Sequence, residues 1–116
     1  MLKSGGGKIV NIADWSALRP YKDYLPYSIA KAGVLAMTQI LAKTLAPKVQ
    51  VNTVSPGAVL LPKNFSSKIK KGVIDKTPLK RIGSPADIAA AVLFFIEGTD
   101  YATGSKLVVD GGQLIR

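Results

Sequence analysis

The sequence predicts an α/β fold built on a small parallel sheet. Three observations carry that expectation. Short β-branched runs occupy residues 8–12, 49–54 and 106–109. Helix-forming stretches separate them. Gly and Pro punctuate the joins, as in Ser55-Pro56-Gly57 and Asp110-Gly111-Gly112. Strands alternating with helices require crossover connections, and crossovers bring parallel strands together.

Each element has its own signal. Lys8-Ile9-Val10-Asn11-Ile12, entered from Gly5-Gly6-Gly7, reads as a buried strand. The three glycines precede a strand instead of following one, so they mark a turn and not a phosphate loop. A polar and aromatic stretch runs from Ala13 to Leu25. Pro26 suits the first turn of a helix, which needs no proline N–H. From Tyr27 to Ala46 the chain is rich in Ala, Leu, Lys and Gln, with Ile29, Val34, Met37, Ile40, Leu41 and Leu45 spaced for a broad apolar face. Pro47 stops it. Val49 to Val54 is the second strand. Residues 58–83 are long, basic and irregular, with room for a short helix over 65–73, and loops of this length often serve as lids. Ser84, Pro85 and Asp87 form a capping-box start, and Ile88, Val92, Leu93, Phe95 and Ile96 give the next helix its apolar face as far as Gly98. Lys106 to Val109 is the third strand.

Composition excludes several classes. At 116 residues there is room for one domain, and 47% apolar content allows a real core. No Cys and no His means no disulfide framework, no thiolate metal site and no histidine base, so no metal is expected. No apolar run reaches membrane-spanning length, and Met1-Leu2-Lys3-Ser4 is not a signal peptide, so a cytoplasmic protein is expected. The net charge of +9 is concentrated in Lys63, Lys68, Lys70, Lys71, Lys76, Lys80 and Arg81. No nucleic-acid-binding motif accompanies them. A solvated loop is the ordinary reading of such a run, and an anion-facing lid is the functional one.

Tyr27 and Lys31 carry the chemistry. Four residues apart at a helix start, they share a face, with Cβ atoms about 5–6 Å apart. A free phenol, with a pKa of about 10, is a sluggish acid–base group at neutral pH. A neighbouring ammonium and a helix N-terminus both favour phenolate and are expected to lower that value. The same spacing is commonly a mere surface contact, so the pair needs context.

That context is a resemblance. Gly6-Gly7-Lys8-Ile9-Val10-Asn11-Ile12, Tyr27-Ser28-Ile29-Ala30-Lys31-Ala32-Gly33, Val51-Asn52-Thr53-Val54-Ser55-Pro56-Gly57 and Thr103-Gly104 through Asp110-Gly111-Gly112 stand in order along the chain. Together they resemble the C-terminal half of the classical short-chain dehydrogenase/reductases. The resemblance implies a Rossmann-like three-layer parallel sheet, of which residues 1–116 would be a single partial domain with about three strands. It implies Tyr27 as general acid, and Lys31 as the group that lowers its pKa and bonds the nicotinamide ribose. It also implies Pro56, Gly57, Ala58 and Val59 lining the nicotinamide pocket, with residues 60–81 as substrate lid. Where the family usually has Ser, thirteen residues before the Tyr, this chain has Asp14. In that respect it is similar to bacterial pteridine reductases, as it is at Arg19-Pro20 and in Pro56 through Pro62. A carboxylate suits the ring N–H groups of a pterin, although Asp14 could also be a simple polar loop residue beside Ser16.

The implied activity is NADP-dependent reduction of a small carbonyl or pterin substrate, with NAD as the alternative cofactor. A 3-oxoacyl-acyl-carrier-protein reductase is the enzymatic rival. The family's phosphate-binding turn and catalytic Asn have no counterpart here, and Met1 falls where its preceding helix would end. The chain is therefore expected to be a truncation, an internal start or a partial product, binding cofactor weakly or not at all and inactive by itself. Its non-catalytic alternative is an oligomerising α/β module. A homo-oligomer is expected, with neither nucleic acid nor membrane as partner.

Overall fold

The computed structural model describes residues 1–116 and has the expected α/β architecture. Strands β1 (Gly7–Ile12), β2 (Val49–Pro56) and β3 (Lys106–Val109) form one parallel sheet in the order β1-β2-β3. Gly7 to Ile12 pair in register with Val49 to Val54, and Thr53 to Pro56 with Lys106 to Val109. Helix α1 (Leu25–Leu45) covers one face, and α3 (Pro85–Leu93) the other. Helix α2 (Ser67–Lys76) has no buried residue and lies within the basic segment.

Strand β2 sits centrally, and its alternation explains the two cores. Val49 and Val51 meet Ala42 on the α1 side, backed by Ile9, Leu41 and Leu45. Val54 meets Ala91 and Phe95 on the α3 side, with Val10, Ile88 and Leu107 around them. A parallel strand covered on both faces reads as a β-branched run. Asn52 and Thr53 of β2 are satisfied within the layers, whereas Gln50 Oε1 and Ser55 Oγ are buried without a hydrogen-bond partner. Thr53 Oγ1 donates to Thr38 Oγ1 at 2.6 Å, Asn11 Nδ2 donates to the same oxygen, and Thr38 Oγ1 donates in turn to Val34 O. Asn52 bridges to Ala102 O and Ser105 N–H. The Thr103-Gly104 turn clamps β2: Thr103 Oγ1 accepts from Val51 N–H, and Gly104, at φ 71°, donates to Val51 O.

Several expectations shift. Helix α1 begins at Leu25, ahead of Pro26, and not at Tyr27. Its sheet-facing side is narrower than its apolar content: Ile29 and Ile40 are 63% and 64% exposed. The small side chains of Ser28, Thr38 and Ala42 are the buried ones, because the helix lies close on the sheet. Helix α2 runs three residues past the expected end. The regular part of the third helix stops at Leu93, and Phe94–Gly98 widens into a π-turn. Leu93 and Ile96 consequently face outward, while Phe95 reaches the core. Strand β1 is an edge of the sheet.

Candidate active site

The C-terminal ends of the strands open into a cavity of about 620 Å³. It is lined by the loop after β1, the start of α1, the turn after β2, the inner side of α2 and the C-terminal residues. Binding sites of parallel sheets lie at this end because the crossover loops converge there.

Asp14 follows β1 and starts a short 3-10 turn, Trp15–Ala17. Its Oδ1 accepts from Ser16 N–H at 2.7 Å, which fixes the carboxylate. Its Oδ2 accepts from the Tyr27 hydroxyl at 3.0 Å. Asp14 thus shapes the loop with one oxygen and meets Tyr27 with the other. Ser16 does not share the second role, being fully buried.

Tyr27 stands in the first turn of α1 and lines the cavity. Its phenol is pushed up to about 12, first by burial and then by the hydrogen bond to Asp14 and that group's charge. This reverses the expectation that Lys31 would lower it. The Lys31 ammonium lies over the Tyr27 ring, 5.8 Å from its centroid, and donates to Ile12 O at 3.3 Å. The ammonium thus faces the ring and not the hydroxyl, and the carboxylate in direct contact prevails. At neutral pH the site holds a protonated phenol beside an anion.

The turn after β2 forms the floor. Gly57 and Ala58 line the cavity, Pro56 completes the strand pairing to β3, and Val59 turns towards Arg81 and Gly83 on the far side. The four residues expected to act together are thus divided between two sides of one turn. Gly57 is required by close approach: a Cβ there would meet Gln113 Oε1 at 2.5 Å and Asp110 Cα at 2.7 Å. Gly57 N–H donates to Val109 O and Ala58 N–H to Gln113 Oε1, whereas Val59 N–H has no partner in the chain. That N–H is the one backbone donor of the turn left open to a ligand.

Several lining residues escaped the sequence reading. Trp15, Tyr21 and Tyr24 form an edge-to-face aromatic wall, with centroids 5.3 and 5.6 Å apart. Burial and the Asp14 charge also raise the Tyr21 phenol. The aromatic density ahead of Tyr27 was the available signal. Gln113 had none: it becomes important only by bonding both Ala58 N–H and Thr77 Oγ1. Of the basic run, Lys76 alone lines the cavity. Lys80 donates to Asp75 O, and Arg81 grips Asp87, which holds that carboxyl well below its usual range. Among the described residues no cluster of acidic side chains could hold a metal ion. No helix is long and apolar enough to cross a membrane.

Residues 1–113 match the protein family described as enoyl-(acyl carrier protein) reductase. The chain is 40% identical to the protein named ketoacyl reductase 2 of the granaticin polyketide synthase in Streptomyces violaceoruber, over 97% of this chain and 46% of that protein. It is 33% identical to an NAD-dependent glycerol dehydrogenase of Listeria innocua, over 100% of this chain and 48% of that protein. A solved short-chain dehydrogenase/reductase of glucose/ribitol dehydrogenase type from Brucella melitensis shares the fold with a TM-score of 0.85 at 32% identity, covering 91% of this chain and 44% of that one. The chain spans about half the length of the curated relatives it matches.

Proposed function

The chain belongs to the short-chain dehydrogenase/reductase family, and from that membership we propose that it serves NAD(P)H-dependent reduction of a carbonyl or pterin-type ring, with Tyr27 as proton donor. The observation that carries this reading is the Tyr27–Asp14 hydrogen bond of 3.0 Å at the head of the cavity. The phenol keeps its proton at neutral pH, and a substrate oxygen or ring nitrogen entering the cavity is its natural acceptor once the Asp14 charge is offset.

A bound reduced nicotinamide supplies hydride; Lys31, with two N–H groups beyond its bond to Ile12, and the Pro56–Val59 turn would hold it. NADP is the proposed form, with NAD, named for the Listeria relative, as the alternative. The chain's own residues handle the proton. Tyr27 cannot easily release it while Asp14 stands negative beside it, because phenolate and carboxylate would repel. A substrate N–H donating to Asp14 offsets that charge and frees the hydroxyl for the acceptor atom. This coupling favours a pterin-type ring, which carries N–H donors beside the bond to be reduced. Lys31, over the ring, stabilises the phenolate once the proton has left.

The match to acyl-carrier-protein reductases and a ketoacyl reductase favours a second reading, reduction of a 3-oxoacyl thioester. Both readings place the proton-transfer side of the site in residues 1–116 and the phosphate-binding side in residues outside them. In this proposal the 116-residue chain alone binds NADPH weakly and turns over nothing, persisting at most as an oligomerising module. Nicotinamide fluorescence should therefore show no saturation at micromolar NADPH; saturation there sinks that part. In a full-length reductase containing these residues, dihydropterin should be reduced faster than an acetoacetyl thioester, followed by loss of NADPH absorbance. Tyr27→Phe should lower kcat by a factor of about 10²–10⁴ with the fold intact. Turnover of the thioester alone would replace the pterin reading with its rival.

A further inference from the structure

The cavity combines an aromatic wall with two cations that no carboxylate occupies. Helix α2 presents Ile69, Gly72, Val73 and Lys76 to it, a stripe at one helical face. The first three are apolar or small; the fourth ends the stripe with an ammonium. Arg116 approaches from the C-terminal segment, whose backbone carbonyl accepts from Arg19 Nη1 at 3.0 Å. Neither Lys76 nor Arg116 joins either of the two ion pairs of the chain, Lys8–Asp100 and Arg81–Asp87. Asp14 is the single acidic residue of the lining, and both its oxygens are already engaged. The charge of Arg116 is felt at Tyr21 in the aromatic wall, where it opposes the upward push on that phenol. The lining thus carries two cations against the one charge of Asp14, and this positive excess over low-dielectric walls makes a field that attracts anions.

We propose that the substrate carries an anionic group, carboxylate or phosphate, which Lys76 and Arg116 hold while its flat body lies along the aromatic wall. This deepens the reductase reading and rests on its placement of the substrate in this cavity. It also assigns a role within the basic segment: Lys76 selects, and the other lysines remain solvated.

Trp15 is the only tryptophan of the chain and lines the cavity, so its single indole N–H resonance reports occupancy without cofactor or turnover. The probes are 4-acetylbenzoate, 4-acetylphenyl phosphate and the neutral 4-acetylbenzamide, titrated into the 116-residue chain. At least one anion should bind about tenfold more tightly than the amide, the gain expected of two partly exposed ion pairs. The larger gain identifies the anion. Lys76→Gln with Arg116→Gln should bring all three probes within about twofold of one another, whereas Lys76→Arg should keep the preference. Equal binding of anions and amide by the unaltered chain overturns the proposal and leaves the reductase reading standing. An anion preference that survives the double substitution overturns it too. If no probe shifts the Trp15 resonance, substrate placement in the cavity fails, and the reductase reading fails with it.

Discussion

Asp14 decides the chemical character of the site. One oxygen is spent on the Ser16 backbone, which leaves the other aimed at the Tyr27 hydroxyl. Removing the charge while keeping the shape should therefore ease ionisation of the phenol. In Asp14→Asn, Tyr27 should titrate below its present value of about 12, short of the ordinary range because burial, the largest contribution, persists. Phenolate absorbance against pH, taken as the difference from the same variant with Tyr27→Phe, measures it; an unchanged titration would refute the assignment. The sign of the linkage follows. A raised folded-state pKa gives stability that is complete below the unfolded phenol value, about pH 10, and is lost as pH rises through the folded value. The Tyr27–Lys31 spacing was legible from the sequence because helical geometry alone sets it. The direction of the Lys31 ammonium was not, since Ile12 O competes for it from a different element.

Helices show the same division between local and distant causes. The start of α3 follows from four consecutive residues: Ser84 Oγ accepts from Asp87 N–H, and the Asp87 carboxylate accepts from Ser84 N–H at 2.7 Å. Ser84→Ala should cost about 1 kcal/mol of stability, read from chemical denaturation, and no change in the midpoint would mean that the cap is redundant. Arg81 reinforces this cap by holding Asp87 ionised, so the benefit is present at neutral pH and fades as acid protonates the carboxyl. The end of the same helix was not legible. Gly98 packs so closely that a Cβ would meet the Phe94 ring at 2.8 Å, and the chain reaches that contact through a π-turn. Periodicity assumes a regular helix and places Leu93 and Ile96 on the buried side, where the structure does not.

At the scale of the whole molecule, apolar surface remains outside both cores. Ile29, Met37 and Ile40 project from α1, and Leu93, Phe94 and Ile96 from the α3 region. Exposed apolar side chains are candidates for an interface, and the proposed homo-oligomer would use those of α1. Ile40→Lys, at a position already 64% exposed, should leave the fold intact and shift sedimentation towards the monomer. Identical sedimentation coefficients for the two proteins would remove α1 from the interface.

The kinds of element, their order, the parallel sheet and the shared face of Tyr27 and Lys31 were already legible in the residues. Those properties arise from periodicity, caps and turn residues, which act over a few positions. Tertiary structure alone decided which of two neighbours governs the phenol, how Asp14 divides its oxygens, and that Trp15, Lys76, Gln113 and Arg116 enclose one cavity. Each depends on groups from separate elements competing for the same partner or space. Only the packed sheet and helices bring those groups within reach of one another.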